Sequence, residues 1–337
     1  MRLLITGATG FFGRHLLQAL AQAPSALGET HVWVRQLASW TEASWTAGLG
    51  RVRPIVGPLA AADLLRDAPA GLDAVVHLAA SVHHSRRGAQ QVAQVNVEGA
   101  LAAAELALAR RCRLIVMSTS GTVGCSRRPE AAPDEAAAHC TEVVRHWPYY
   151  SSKVAMEQQL LALQATRGLQ LVLVRPPMLL GPGDHRGRAT SQIRRFMRKP
   201  LPFILAGGIH YIDIRDAAQA VRRLLELEKP RPIYHLRGTA CTLSDFFADL
   251  EVVCQRSAPR RRLPWGLAWS LAQADVHLGV GVRGRPFGLL PDPVVIEMAR
   301  HYWDVSSTFA EADLNYCSRP KLETLQDTVN DLRQSAV

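Results

Sequence analysis

Six short apolar runs punctuate the first half of the chain, at residues 3–6, 32–35, 52–56, 74–78, 114–118 and 171–175. They are rich in Val, Ile and Leu and do not alternate with polar positions. That is the pattern of strands buried on both faces of a parallel sheet. Between them lie helical patterns over 11–23, 60–66, 89–110 and 149–166. Strand and helix alternating in this way predict an α/β, doubly wound parallel sheet with right-handed crossovers. After Arg175 the pattern breaks at Pro176, Pro177, Gly181, Pro182 and Gly183. A strand–helix piece over 211–227, a short strand over 234–236 and helical patterns from Thr242 onward predict a smaller, mostly helical C-terminal lobe. The sheet domain is expected over 1–176, joined by about 207–238, with 177–337 mainly the lobe. Ligands of open α/β sheets bind at the carboxyl ends of the strands, so this lobe is expected to hold a small-molecule substrate.

Composition narrows the class. At 337 residues, 48% hydrophobic and 20% charged, the chain reads as an ordinary globular protein with a sizeable core. The apolar stretch 263–282 contains Gln273, Asp275 and His277, so no transmembrane segment is expected there. A peripheral membrane contact or a cover over the substrate stays open for it. Leu3, Leu4 and Ile5 run straight into glycines, so no signal peptide and a cytoplasmic location are expected. The six cysteines are scattered, which predicts reduced, structural thiols and no metal site. A net charge of +10 comes partly from runs at 194–199 and 260–262. No nucleic-acid module accompanies them, so no nucleic-acid partner is expected. An anionic substrate or membrane surface accounts for the charge equally well.

The first strand ends in Thr6-Gly7-Ala8-Thr9-Gly10-Phe11-Phe12-Gly13, and a helix begins at once. Glycines at 7, 10 and 13 permit a tight turn and close backbone approach to a pyrophosphate, which the helix N-terminus attracts. Strand, turn and helix in this order predict a dinucleotide site formed by Gly7, Thr9, Gly10, Phe11, Phe12 and Gly13. At the end of the second strand an acidic residue would bind a ribose 2′-hydroxyl, and an arginine a 2′-phosphate. Arg35 stands there with no Asp or Glu beside it, so NADP(H) is preferred over NAD(H).

The fifth strand ends in Ser118-Thr119-Ser120-Gly121-Thr122, and Pro148-Tyr149-Tyr150-Ser151-Ser152-Lys153 follows. Tyr149 and Lys153, four apart, share a helix face, and Pro148 suits that helix's first turn. A phenol titrates near pH ~10. A neighbouring ammonium is expected to lower that value, making Tyr149 a general acid–base with Lys153 as its partner. Ser120 is positioned to hydrogen-bond the same substrate oxygen.

In these residues the chain resembles an extended short-chain dehydrogenase/reductase of the epimerase/dehydratase kind, and the resemblance covers nearly its whole length. It rests on the glycine loop, His77-Leu78-Ala79-Ala80, Asn96-Val97-Glu98-Gly99, Arg175-Pro176-Pro177, Gly181-Pro182-Gly183-Asp184, Tyr211-Ile212-Asp213-Ile214-Arg215-Asp216 and Asp304-Val305-Ser306-Ser307. It implies a Rossmann domain, Tyr149, Lys153 and Ser120 as catalytic residues, cofactor contacts from Ala79, Lys153 and Pro176, and a homodimer through helices 89–110 and 149–166. Two departures matter. Gly57 is followed by Pro58 where the family often has an adenine-binding Asp, leaving a backbone contact at Leu59. The 181–188 loop lacks the glycine–asparagine pattern common in nucleotide-sugar epimerases.

Three functions are weighed. An NADP(H)-dependent ketone or aldehyde reductase, similar to the dihydroflavonol reductase and 3β-hydroxysteroid dehydrogenase branches, fits Arg35 and the apolar 263–282 segment. A nucleotide-sugar epimerase or dehydratase with tightly bound NAD is the alternative. A non-catalytic dinucleotide sensor has no need of the Ser–Tyr–Lys set. His83, His84, Tyr150 and Met178 are candidate substrate contacts. For the two histidines a solvent-facing loop is an equal reading, and for Trp265 and Trp269 core packing is the default.

Overall fold

The computed structural model describes residues 1–22, 28–41, 46, 49, 52–199, 201–278 and 291–335. The strands among them are, in chain order, β1 Leu3–Thr6, β2 Thr30–Val34, β3 Val52–Val56, β4 Ala74–His77, β5 Arg113–Met117, β6 Cys125–Ser126, β7 Leu171–Arg175, β8 Met178–Leu180, β9 Gly208–Asp213, β10 Ile233–His235, β11 Thr239–Thr242 and β12 Tyr302–Trp303. Seven form one sheet in the order β10–β7–β5–β4–β1–β2–β3, and every neighbouring pair is parallel. β1, β2, β4 and β7 are buried at every residue, which is why their sequences do not alternate. Leu3 and Ile5 enter a core beneath helices Phe11–Ala21 and Ile214–Glu226. Leu4 enters the opposite core with helices Ala61–Asp67, Gly99–Arg110 and Pro148–Arg167. The chain is thus a doubly wound α/β sheet, and its strand order reverses between β1 and β4, where such sheets bind ligands.

The stretch expected as one helix over 89–110 is interrupted. Ala89–Ala93 passes into a π-helical turn, Gln94–Glu98, before Gly99–Arg110 continues. Buried Asn96 sits in that turn, as π-turns often mark functional places. By length and composition Ala89–Arg110 could cross a membrane. Ala100, Ala103, Ala104 and Leu106 are instead fully buried against the sheet, so its apolar character serves the core.

The C-terminal lobe is built on a three-stranded sheet, β11–β9–β8, not on helices alone. Helices Ser191–Arg198, Leu243–Cys254 and Lys321–Gln334 cover it through Phe196, Phe246, Leu250, Leu325 and Val329. The piece expected over 211–227 divides its loyalties. β9 belongs to the lobe, while Ile214–Glu226 packs on the large sheet beside Phe11–Ala21. Trp265 and Trp269 stack at 6.1 Å on helix Trp265–Leu278. Their indoles bond to Ile296 O and Glu297 Oε1, so packing accounts for both. Positions 279–282 of the apolar stretch, and Ala23 of the first helix, lie outside the described residues.

Candidate active site

The glycine loop is held against the end of β4. Gly7 has φ +72°, and a Cβ there would stand 2.6 Å from Ala79 N and 2.7 Å from Leu78 C. A Cβ on Gly13 would meet Gly7 O at 2.5 Å. Only hydrogen fits at either position, and the backbone is left open at the strand ends. No side chain caps helix Phe11–Ala21, whose first turn contains no acidic residue. Its leading N–H groups therefore face outward with the positive end of the dipole. This cradle fits a dinucleotide pyrophosphate. The Phe12 ring points into the core, so its contribution would be backbone alone, and Phe11 is half-buried against His15 at 5.6 Å. Arg14 Nε donates to Thr9 O at 3.2 Å and braces the loop from outside.

Arg35 follows β2 directly and is exposed. Leu59 is half-buried and would crowd a Cβ on Gly99 at 2.9 Å. Just before it, Trp33 Nε1 donates to Gly57 O and Pro58 O and fixes the loop after β3.

Tyr149 and Lys153 lie one turn apart on helix Pro148–Arg167, with proline at its first position. Lys153 is buried, and Nζ donates to Met117 O at 2.8 Å. Ser120 is buried in the turn after β5, its N–H donating to Pro176 O at 2.8 Å. That bond joins the serine loop to the exit of β7. Burial pulls the Lys153 ammonium down to about 8, opposed by the Glu157 carboxylate. Burial pushes the Tyr149 phenol up. The expected lowering of the phenol is corrected here, because desolvation of the buried ring dominates.

Asn96 orients the same helix. Its Nδ2 donates to Ser81 O at 3.1 Å and Ser152 Oγ at 2.9 Å, and its Oδ1 accepts from Ser81 N at 2.7 Å. The loop after β4 is thereby tied to the residue preceding Lys153. His77 lies behind, with Nδ1 3.0 Å from Thr6 Oγ1. Burial, with the Lys153 charge, holds it down to about 3, so it is neutral.

Sequence reasoning missed Glu157, a further turn along the helix and fully buried. Arg175 Nε reaches both of its oxygens at 3.1 Å, and His139 Nε2 lies 2.8 Å from Oε2. Ser118 Oγ and Thr122 Oγ1 donate to Oε1. Arg175 Nη1 also meets His235 Nε2 at 3.2 Å. Burial alone would raise the carboxyl, but the His139 bond and the Arg175 charge hold it down to about 2.

A cavity of about 340 Å³ opens on Ser120, Thr119, Gly121, Tyr150 and His84. Its farther walls are largely apolar, including Met178, Phe203, Ile204, Phe246, Phe247 and Trp303, and among the described residues no Asp or Glu lines it. The Tyr149 ring sits beside it, 5.2 Å from Tyr150 and 5.7 Å from His84. Tyr150 packs so closely that a Cβ on Gly121 would lie 2.2 Å from its ring. Of the two histidines only His84 reaches the cavity. It stacks on Tyr150 at 5.9 Å, and that packing leaves its neighbour His83 exposed. Tyr150 and Met178 line the wall.

The model of the NAD dependent epimerase/dehydratase family matches residues 3–236. The chain belongs to that family. It is 27% identical over 285 residues to sterol demethylase protein B of Methylococcus capsulatus, covering 81% of this chain and 80% of that one. It is 25% identical over 320 residues to a putative dihydroflavonol 4-reductase of Synechocystis, covering 92% and 89%. The crystal structure of gox2253 superposes with a TM-score of 0.81 at 25% identity, covering 99% and 98%. Relatives include reductases and dehydratases, and the family and its members make this chain an NAD(P)-dependent oxidoreductase-type enzyme.

Proposed function

We propose that the chain is an NADP(H)-dependent reductase interconverting a ketone or aldehyde with an alcohol on an apolar substrate. The observation that carries this reading is the cavity wall, apolar over most of its extent and opening on Ser120. Such a wall rewards burial of hydrocarbon and gives sugar hydroxyls few partners. The similarity to a sterol-processing protein and a dihydroflavonol reductase supports it.

The first-turn N–H groups at 11–13 would hold the pyrophosphate, Lys153 a ribose hydroxyl and Arg35 the 2′-phosphate. Arg35 is exposed at the strand end without an acidic neighbour in sequence, which supports NADP(H) over NAD(H). When bound, the dinucleotide supplies or accepts hydride. Burial keeps the Tyr149 phenol protonated, so it stands ready to give its proton to the substrate oxygen as negative charge develops there. The Tyr149 O–H bond breaks, the substrate O–H bond forms, and solvent later restores the phenol. Ser120 donates to the same oxygen, and the Lys153 ammonium stabilises the transient phenolate. His84 and Tyr150 shape the mouth of the cavity. A homodimer through helices Ala89–Arg110 and Pro148–Arg167 belongs to the same proposal.

A second reading, a nucleotide-sugar epimerase or dehydratase, is favoured by Arg188 and Arg195, which bring two guanidinium groups to the same cavity. One experiment separates the two. Purified protein is denatured to identify any released nucleotide, and NADPH oxidation is followed with apolar ketones, steroids and nucleotide sugars. Turnover of apolar ketones by protein that retains no NAD is expected. Retained NAD with conversion of a nucleotide sugar would replace the first reading by the second.

A further inference from the structure

We propose that Glu157 is a positioning residue that maintains the charge of Lys153 and the placement of the Ser120 loop. The proposal deepens the reductase reading and rests on it for its catalytic meaning. Its physical content concerns two side chains of this chain alone.

Tyr149, Lys153 and Glu157 follow one another at four-residue intervals, so all three occupy one face of helix Pro148–Arg167. Glu157 then reaches in three directions. Through Ser118 and Thr122 it holds both flanks of the turn that carries Ser120. Through Arg175 it holds the end of β7, whose next residue, Pro176, accepts the Ser120 N–H. Along its own helix its negative charge faces Lys153, whose Nζ is anchored on Met117 O, the residue before Ser118. One buried carboxylate therefore joins the acid–base helix, the serine turn and the strand exit.

The groups that face this pair come from every neighbouring element. Glu157 meets Ser118 and Thr122 after β5, His139 ahead of the helix and Arg175 on β7, and its charge is felt by Cys140 and by His235 on β10. Lys153 meets Met117 O, Met156 Sδ and the neutral His77 at the end of β4. In this surrounding Glu157 is the acidic group that raises the lysine, and burial is what lowers it. Without Glu157 the ammonium would be lost at a lower pH, and Tyr149 would lose its charged partner across part of the neutral range.

The chain contains four lysines, Lys153, Lys199, Lys229 and Lys321, so the titration can be read without any substrate. Protein labelled at lysine Cε is titrated by NMR, with Lys153→Met assigning the resonance. In Glu157→Gln the Lys153 midpoint is expected to fall by about 1 pH unit, while the other three lysines stay put. Should that variant not fold, Glu157→Gln/Arg175→Gln removes both buried charges together, a change proteins tolerate better. A smaller downward movement is expected there, because a positive charge leaves with the negative one, and Glu157→Asp should hold the midpoint nearer the wild-type value. A Lys153 midpoint that does not move down in whichever of the two glutamine variants folds overturns the proposal. Because no substrate enters, failure of the reductase reading leaves this result standing, and failure here leaves that reading to its own assay.

Discussion

Gly7 and Arg35 make opposite demands at the two ends of the dinucleotide cradle. Gly7 combines φ +72° with backbone atoms 2.6–2.8 Å from any Cβ, so Gly7→Ala has to move β4 or distort the turn. We expect a loss of about 2 kcal/mol or more in urea unfolding, since the left-handed conformation alone costs about 1–2 kcal/mol. Dinucleotide binding, read by quenching of tryptophan fluorescence, should weaken with it. Unchanged stability would mean that the turn has room for a side chain. Arg35 lies in solvent, so its removal should leave stability unaltered. Loss of a charge-assisted bond to phosphate should reduce the preference for NADPH over NADH by about tenfold or more in Arg35→Ala. An unaltered ratio would remove Arg35 from the cofactor site.

At the scale of elements, the catalytic helix is fastened from two sides. Asn96, in its π-turn, makes three hydrogen bonds to Ser81 and Ser152, and Asn96→Ala strands those partners. A loss of about 2–3 kcal/mol in stability is expected, with kcat falling more than KM rises. Glu157 fastens the other side, and the sign of its pH effect follows from its depressed carboxyl. Its ordinary value is 4.5 and its folded value about 2, so its stabilisation is complete above 4.5 and vanishes as pH falls toward 2. Urea midpoints measured from pH 5 to pH 2 should therefore fall more steeply in the wild type than in Glu157→Gln/Arg175→Gln. Parallel curves would show that the pair contributes nothing to acid stability.

Across the whole molecule, legibility followed locality. The glycine turn, Tyr149 with Lys153, and Ser120 could be read because each depends on spacing within one turn or one strand end. The sheet could be read because burial on both faces writes itself as unbroken apolar runs. The three-stranded sheet of the lobe could not, since β8 has three residues, its partner β9 stands some 30 positions on, and β11 joins β9 some 30 positions further. The choice of His84 over His83 depended on which ring stacks against Tyr150, a fact of packing. In sequence Arg175 shows only as part of a strand-exit motif, and nothing beside it points to its partner Glu157. The four-residue step from Lys153 to Glu157 was the available signal, but its partners Ser118, His139 and Arg175 come from three separate segments.

Hydride transfer from NADPH to an apolar carbonyl, with Tyr149 giving the proton, is the central claim. It is tested most directly by supplying NADPH deuterated at the transferred position together with an apolar ketone turned over by the protein, and weighing the product. An alcohol one mass unit heavier than with unlabelled NADPH is expected, formed by the wild type and at least about 100-fold more slowly by Tyr149→Phe. An unlabelled product, or full activity in Tyr149→Phe, would contradict it.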